Sequence, residues 1–141
     1  MMSTIFFYGL FMDQALLEER GLNPSPIGSA TLSDYKIHIG SRATLVPSAG
    51  STAYGIVMKL PAEEAKSLYA EPSVRDYRPE PVRVHLIDTS EAVETLCYNL
   101  PGDAAVSGTN SMYARQLSRL ALELGFDPEY ADEISRFAAT P

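Results

Sequence analysis

Apolar residues follow one another through Ile5-Phe6-Phe7-Tyr8 and stop at Gly9, so residues 4–8 read as a strand buried on both faces. Asp13 to Arg20 reads as a short helix closed by Gly21. Asn23-Pro24-Ser25-Pro26 reads as a loop, because proline extends a ladder poorly. Strand character returns over 28–39 with a break near Ser33-Asp34, and again over Thr44–Val46. Residues 47–51 (Pro-Ser-Ala-Gly-Ser) read as a turn, and 52–60 as a central strand in which Gly55 marks a bulge or a close backbone approach. Pro61 opens a helix to about Leu68, with Glu63 and Glu64 in its first turn. The three prolines between Tyr69 and Pro81 predict irregular chain there, with Glu80 solvated. Val82, Val84 and Leu86 then alternate with polar residues, and 94–100 forms a further strand. Asn110 caps a helix whose apolar face is Tyr113, Leu117, Leu120 and Leu124, ended by Gly125. Asp127-Pro128 starts a second helix with Tyr130, Ile134 and Phe137 as its stripe.

This order lacks the regular strand–helix alternation of a doubly wound sheet. It predicts an α+β fold: a small mixed sheet curled toward a barrel, with helices packed outside. The 141 residues suit a single domain spanning 1–141.

Charge narrows the partners. A formal net charge of −7 argues against nucleic acid and against an anionic membrane surface. Arg42, Arg75, Arg78 and Arg83 can still make a pocket locally positive. Cys97 is the only cysteine, so an intrachain disulfide is impossible and the residue reads as a small buried side chain in a strand. Without a signal-peptide pattern, a cytoplasmic setting is expected. His38 and His85 have no second ligand at a metal-binding spacing, so no metal site is expected.

Two features carry chemistry. The turn after the first strand, Tyr8-Gly9-Leu10, is followed at once by a helix start, an arrangement whose backbone N–H groups can hold an anion. Glu71 lies between Tyr69-Ala70 and Pro72-Ser73-Val74. In apolar surroundings its carboxyl pKa would rise, suiting it to take and return a proton near neutral pH. No P-loop and no G-x-S-x-G elbow competes with them.

These stretches carry a resemblance. Phe6-Phe7-Tyr8-Gly9-Leu10, Ala43-Thr44-Leu45-Val46-Pro47 with Ala53-Tyr54-Gly55-Ile56-Val57, Leu68–Glu71 with Tyr77-Arg78-Pro79-Glu80-Pro81-Val82, and Asn110-Ser111-Met112-Tyr113 with the closing helices stand in the order found in gamma-glutamylcyclotransferase-like (AIG2-like) proteins. The chain resembles that family over most of its length. The resemblance implies release of 5-oxoproline from a small gamma-glutamyl amine or amino acid, with no metal, cofactor or covalent intermediate. It assigns Glu71 as general acid/base and Tyr8, Gly9, Leu10 and Phe11 as the substrate loop, with Arg42, Tyr77 and Tyr113 as further pocket residues. Leu10-Phe11 stand where many members carry Ser-Asn, and Pro72 stands where glycine commonly follows the acid. Two other activities suit the same scaffold: a non-catalytic module that binds a small anion, and an amide hydrolase that uses water as nucleophile.

Overall fold

The computed structural model describes residues 1–101 and 108–138. Its centre is a closed barrel of five strands in the order β1-β3-β2-β4-β5. β1 (Met2–Phe7) pairs antiparallel with β3 (Ala43–Pro61) from Met2↔Pro61 to Phe7↔Ile56, and parallel with β5 (Ala92–Asn99) at Ile5↔Leu96. β2 (Ser25–Ile39) lies between β3 and β4 (Arg78–Leu86), and β4 pairs antiparallel with β5. The predicted mixed, barrel-like sheet with external helices is therefore the observed fold. Ile5, Phe6 and Phe7 are all buried, as a strand with both faces covered requires.

The helices are α1 (Gln14–Glu19), α2 (Ala62–Leu68), α3 (Ser111–Glu123) and α4 (Pro128–Ser135). Asn110 and Asp127 cap α3 and α4 through side-chain oxygens that accept backbone N–H groups, as their sequence positions predict, and Asp13, read as the first residue of its helix, caps α1 in the same way. Tyr54 on β3 packs 4.7 Å from Tyr130 and 5.4 Å from Phe126, which seats α4 on the barrel wall.

Three expectations need correction. Residues 23–26 are not all loop: β2 begins at Ser25, and Pro26 pairs with Met58 just before a register shift. Residues 43–61 form one strand rather than two strands and a free turn. Its Ser48–Ser51 excursion lies opposite Asp34, between the pairs Tyr35↔Pro47 and Ser33↔Thr52. Asp34 has a left-handed φ of 66°, and its carboxylate accepts the Gly50 N–H at 3.0 Å. The break near Ser33-Asp34 and the turn at 47–51 are thus the two halves of one bulge. Finally, the irregular segment ends at Tyr77, because Pro79 and Pro81 belong to β4 opposite Tyr98 and Leu96. β2 pairs with β4 only at Ala30↔Leu86 and Thr31↔His85. The first half of β4 therefore has an open flank, where a missing N–H is tolerated.

Gly55 makes the predicted close approach. A Cβ there would stand 2.3 Å from the Phe7 carbonyl oxygen and 2.7 Å from the Phe6 ring. At one end of the barrel, side chains stand in for a ladder between β3 and β5. The Asn99 carbonyl accepts the Leu45 N–H at 3.1 Å, and the Thr44 hydroxyl accepts the Leu100 N–H at 2.9 Å. Asn99 also donates to Glu80, which is half-buried rather than solvated. Cys97 is fully buried beside them, and burial pushes its thiol up to about 12.

Candidate active site

A cavity of about 520 Å³ opens where β1 ends, between the turn that follows it and the segment after α2. Its first wall is backbone. Gly9 leaves β1 with φ −106°, and Leu10–Met12 closes a single 3-10 turn in which Met12 N–H bonds Gly9 C=O and Asp13 N–H bonds Leu10 C=O, both at 3.0 Å. Such a turn leaves the N–H groups of Leu10 and Phe11 without partners inside it. The Leu10 N–H is met by the Tyr113 hydroxyl at 3.3 Å, from the first turn of α3. Gly9 is needed here for space rather than for its dihedral angles: a Cβ would lie 2.5 Å from the Tyr113 Oη.

The second wall is aromatic. Tyr69, which follows α2, stacks flat on Tyr98 of β5 with centroids 3.7 Å apart and planes 4° from parallel. Phe11 meets Tyr69 edge-on at 6.2 Å. The Tyr8 hydroxyl donates to the Tyr98 carbonyl at 2.7 Å, and the Tyr77 hydroxyl donates to the Ala43 carbonyl. Burial raises the Tyr8, Tyr69 and Tyr113 hydroxyls well above the usual tyrosine range, and the bond from Leu10 offsets this only in part at Tyr113. Tyr77 is pushed up to about 12 by burial, with the Arg42 guanidinium pulling the other way. All four are neutral at physiological pH, so they can orient a substrate by hydrogen bonds but cannot serve as bases.

Charge enters at the rim. Arg20 and Arg42 both line the cavity. Arg42 pairs with Asp76 at 3.2 Å and lies 5.8 Å from the centre of the Tyr77 ring. Arg20, the C-cap of α1, donates from Nε to Glu71 Oε2 at 3.2 Å and lies 5.3 Å over the Phe11 ring. The Glu71 backbone is held by a turn in which its C=O accepts the Val74 N–H at 3.0 Å. Pro72, Ser73 and Val74 line the cavity, but Glu71 does not: its carboxylate, 36% exposed, is turned to Arg20. Its surroundings are thus an ion pair and solvent, not the apolar contacts its flanking residues suggested.

Of the residues singled out in the sequence, Tyr8, Gly9, Leu10, Phe11, Arg42, Tyr77 and Tyr113 all line this one cavity; Glu71 does not line it and is joined to it through its bond to Arg20. Sequence reasoning missed Arg20, Tyr69 and Tyr98. Arg20 carried only the signal of a helix end, and Tyr98 reads as one alternating strand position. Asn110 does more than cap α3, since its amide also donates to the Ser41 carbonyl at the cavity mouth, 3.4 Å away. His38 lies edge-on to Phe137 and His85 is exposed; among the described residues no three His, Cys, Asp or Glu side chains converge as a metal site. No described helix is long and apolar enough to cross a membrane.

The profile of the gamma-glutamyl cyclotransferase, AIG2-like family matches residues 5–119. No curated protein matches the chain in sequence. Among solved structures, one described as a gamma-glutamyl cyclotransferase is similar at 19% identity and a TM-score of 0.77, over 100% of this chain and 89% of that one. YkqA from Bacillus subtilis is similar at 24% identity and a TM-score of 0.77, over 97% of this chain but only 54% of its own length. A yeast gamma-glutamyl cyclotransferase specific to glutathione is similar at 16% identity and a TM-score of 0.57, over 97% and 95% of the two chains. At these identities the structural likeness shows the fold.

Proposed function

We propose that this chain, which belongs to the gamma-glutamyl cyclotransferase, AIG2-like family, is an enzyme that releases 5-oxoproline from a small gamma-glutamyl amine or amino acid, with Glu71 as general acid/base. The α-amine of the substrate attacks its own γ-carbonyl carbon and closes a five-membered ring. Glu71 accepts the proton lost by the attacking nitrogen and returns it to the leaving nitrogen as the old C–N bond breaks. Because both reacting groups belong to one molecule, the protein's main task is orientation.

The observation that carries this reading is the meeting of the Gly9-Leu10 turn and the Tyr113 hydroxyl at one wall of a cavity whose lining residue Arg20 bonds the Glu71 carboxylate. The Tyr113 oxygen accepts from Leu10, so its own proton is available to a substrate carboxylate, together with the Phe11 N–H. The γ-carbonyl then lies toward the Tyr69–Tyr98 stack and the leaving group toward the rim. Leu10 and Phe11 contribute backbone N–H groups and apolar surface, so their departure from Ser-Asn removes side-chain polarity but no backbone donor. The reading needs no metal or cofactor, and a cytoplasmic setting is proposed with it.

Incubating the protein with a panel of gamma-glutamyl amines and dipeptides, with products read by mass spectrometry, tests it. Formation of 5-oxoproline is expected. Free glutamate in its place would make the protein a hydrolase. No product from folded protein across the panel would remove the assignment.

A further inference from the structure

Arg20 has no part in the mechanism above, yet it is the residue that joins its two halves. It leaves the C-terminus of α1, lies over Phe11 of the substrate loop, lines the cavity and bonds Glu71. Its fork is only partly used. Nε donates to Glu71 at 3.2 Å and Nη1 donates to the Leu16 carbonyl at 3.2 Å, while Nη2 has no protein partner among the described residues. A guanidinium carries five N–H donors in one plane and can therefore serve two carboxylates at once.

We infer that Arg20 is a specificity-determining residue: it selects substrates whose leaving amine itself carries a carboxylate, an amino acid or peptide rather than a simple amine or polyamine. The inference rests on the reading of Glu71 as the acid that protonates the leaving nitrogen. If Glu71 delivers that proton, the leaving nitrogen lies beside the Glu71 carboxylate, and hence beside the guanidinium bonded to it. A carboxylate one carbon from that nitrogen falls within reach of Nη2. Arg20 then bridges substrate and Glu71, aligning the acid with the atom it must protonate. A polyamine would instead bring a second positive charge against Arg20. Arg42 is the other cavity arginine, but its partner is Asp76 and it shares no bond with Glu71.

The test compares gamma-glutamyl-alanine with gamma-glutamyl-ethylamide, which differ by that one carboxylate. kcat/KM is measured for both in the wild-type protein and in Arg20→Gln and Arg20→Lys. Wild type is expected to favour the alanine compound by roughly tenfold to a hundredfold, the range of one charge-assisted hydrogen bond. Arg20→Gln should bring the ratio close to one. Arg20→Lys should keep part of it, since lysine retains the charge but loses the fork. The ratio is taken within one sample, so it does not depend on how much of a variant is folded. Equal use of both compounds by wild type, or an unchanged ratio in Arg20→Gln, would overturn the inference while leaving the cyclotransferase standing. If wild type makes 5-oxoproline from neither compound nor from the wider panel, the reading of the site falls, and this inference with it.

Discussion

The Tyr113 hydroxyl lies 3.3 Å from the Leu10 amide nitrogen, 103 residues away in sequence, and occupies the space that a side chain on Gly9 would need. A glycine and a tyrosine from opposite ends of the chain thus define one wall of the cavity together. Gly9→Ala is expected to push the Tyr113 ring aside, since the clashing atom is the tip of a side chain rather than backbone. Catalytic efficiency should fall more than stability. Tyr113→Phe removes the clashing oxygen, so adding Gly9→Ala to it should cost less than adding Gly9→Ala to the wild type. A double-mutant cycle in kcat/KM and melting temperature checks this, and strict additivity would break the proposed link.

Glu71→Gln is expected to abolish turnover while leaving the melting temperature nearly unchanged. Its bond to Arg20 is an exposed ion pair, and such pairs contribute about 0–1 kcal/mol. Activity at the wild-type level would take Glu71 out of the mechanism.

Gly55→Ala should behave in the opposite way. Here the clash is with the Phe7 backbone and the buried Phe6 ring, neither of which can move cheaply. A loss of about 1–3 kcal/mol or more is expected from such overpacking, read as a lower denaturation midpoint. A variant as stable as wild type would mean that the β1–β3 contact relaxes more easily than a packed barrel should.

Asn99→Ala removes the acceptor of the buried Leu45 N–H and the donor to Glu80. Leaving one buried polar group unpaired costs about 1–3 kcal/mol. Because Thr44 and Asn99 neighbour the cavity residues Ala43 and Tyr98, substrate affinity should weaken along with stability. Urea titration and KM together test this.

Alkaline pH should destabilise the protein before chemistry damages it. Burial raises Cys97 from 9.0 to about 12 and Tyr77 from 10.0 to about 12. Folding therefore favours the protonated forms, while the unfolded chain releases those protons first. The unfolded state then binds fewer protons, and stability falls as pH rises. This contribution is complete below pH 9 and declines between 9 and 12. Melting temperature against pH measures it, and Tyr77→Phe should flatten the part of the slope above 10.

Local punctuation was legible in the sequence wherever one residue decides the backbone. Asp13, Asn110 and Asp127 begin helices because their side chains reach N–H groups two or three residues ahead. Gly21 and Gly125 end helices because the left-handed turn suits glycine. The run Ile5-Phe6-Phe7 predicted a strand covered on both sides, and the order of elements predicted a barrel with helices outside. Prolines misled where only one neighbour matters: Pro26, Pro79 and Pro81 sit in strands because their missing N–H faces no essential partner.

By itself, then, the sequence determined the elements that depend on short-range chemistry, and through the order of its motifs the family to which the chain belongs. Only the tertiary structure decided which side chains meet. The Asp34–Gly50 bulge, the Tyr69–Tyr98 stack, the Tyr113 contact with the Gly9-Leu10 turn and the Arg20–Glu71 pair all join residues at least 16 positions apart. Hydrophobic periodicity says which way a side chain faces, but not what faces it. Barrel closure and strand register supply that, and they depend on the packing of the whole chain at once.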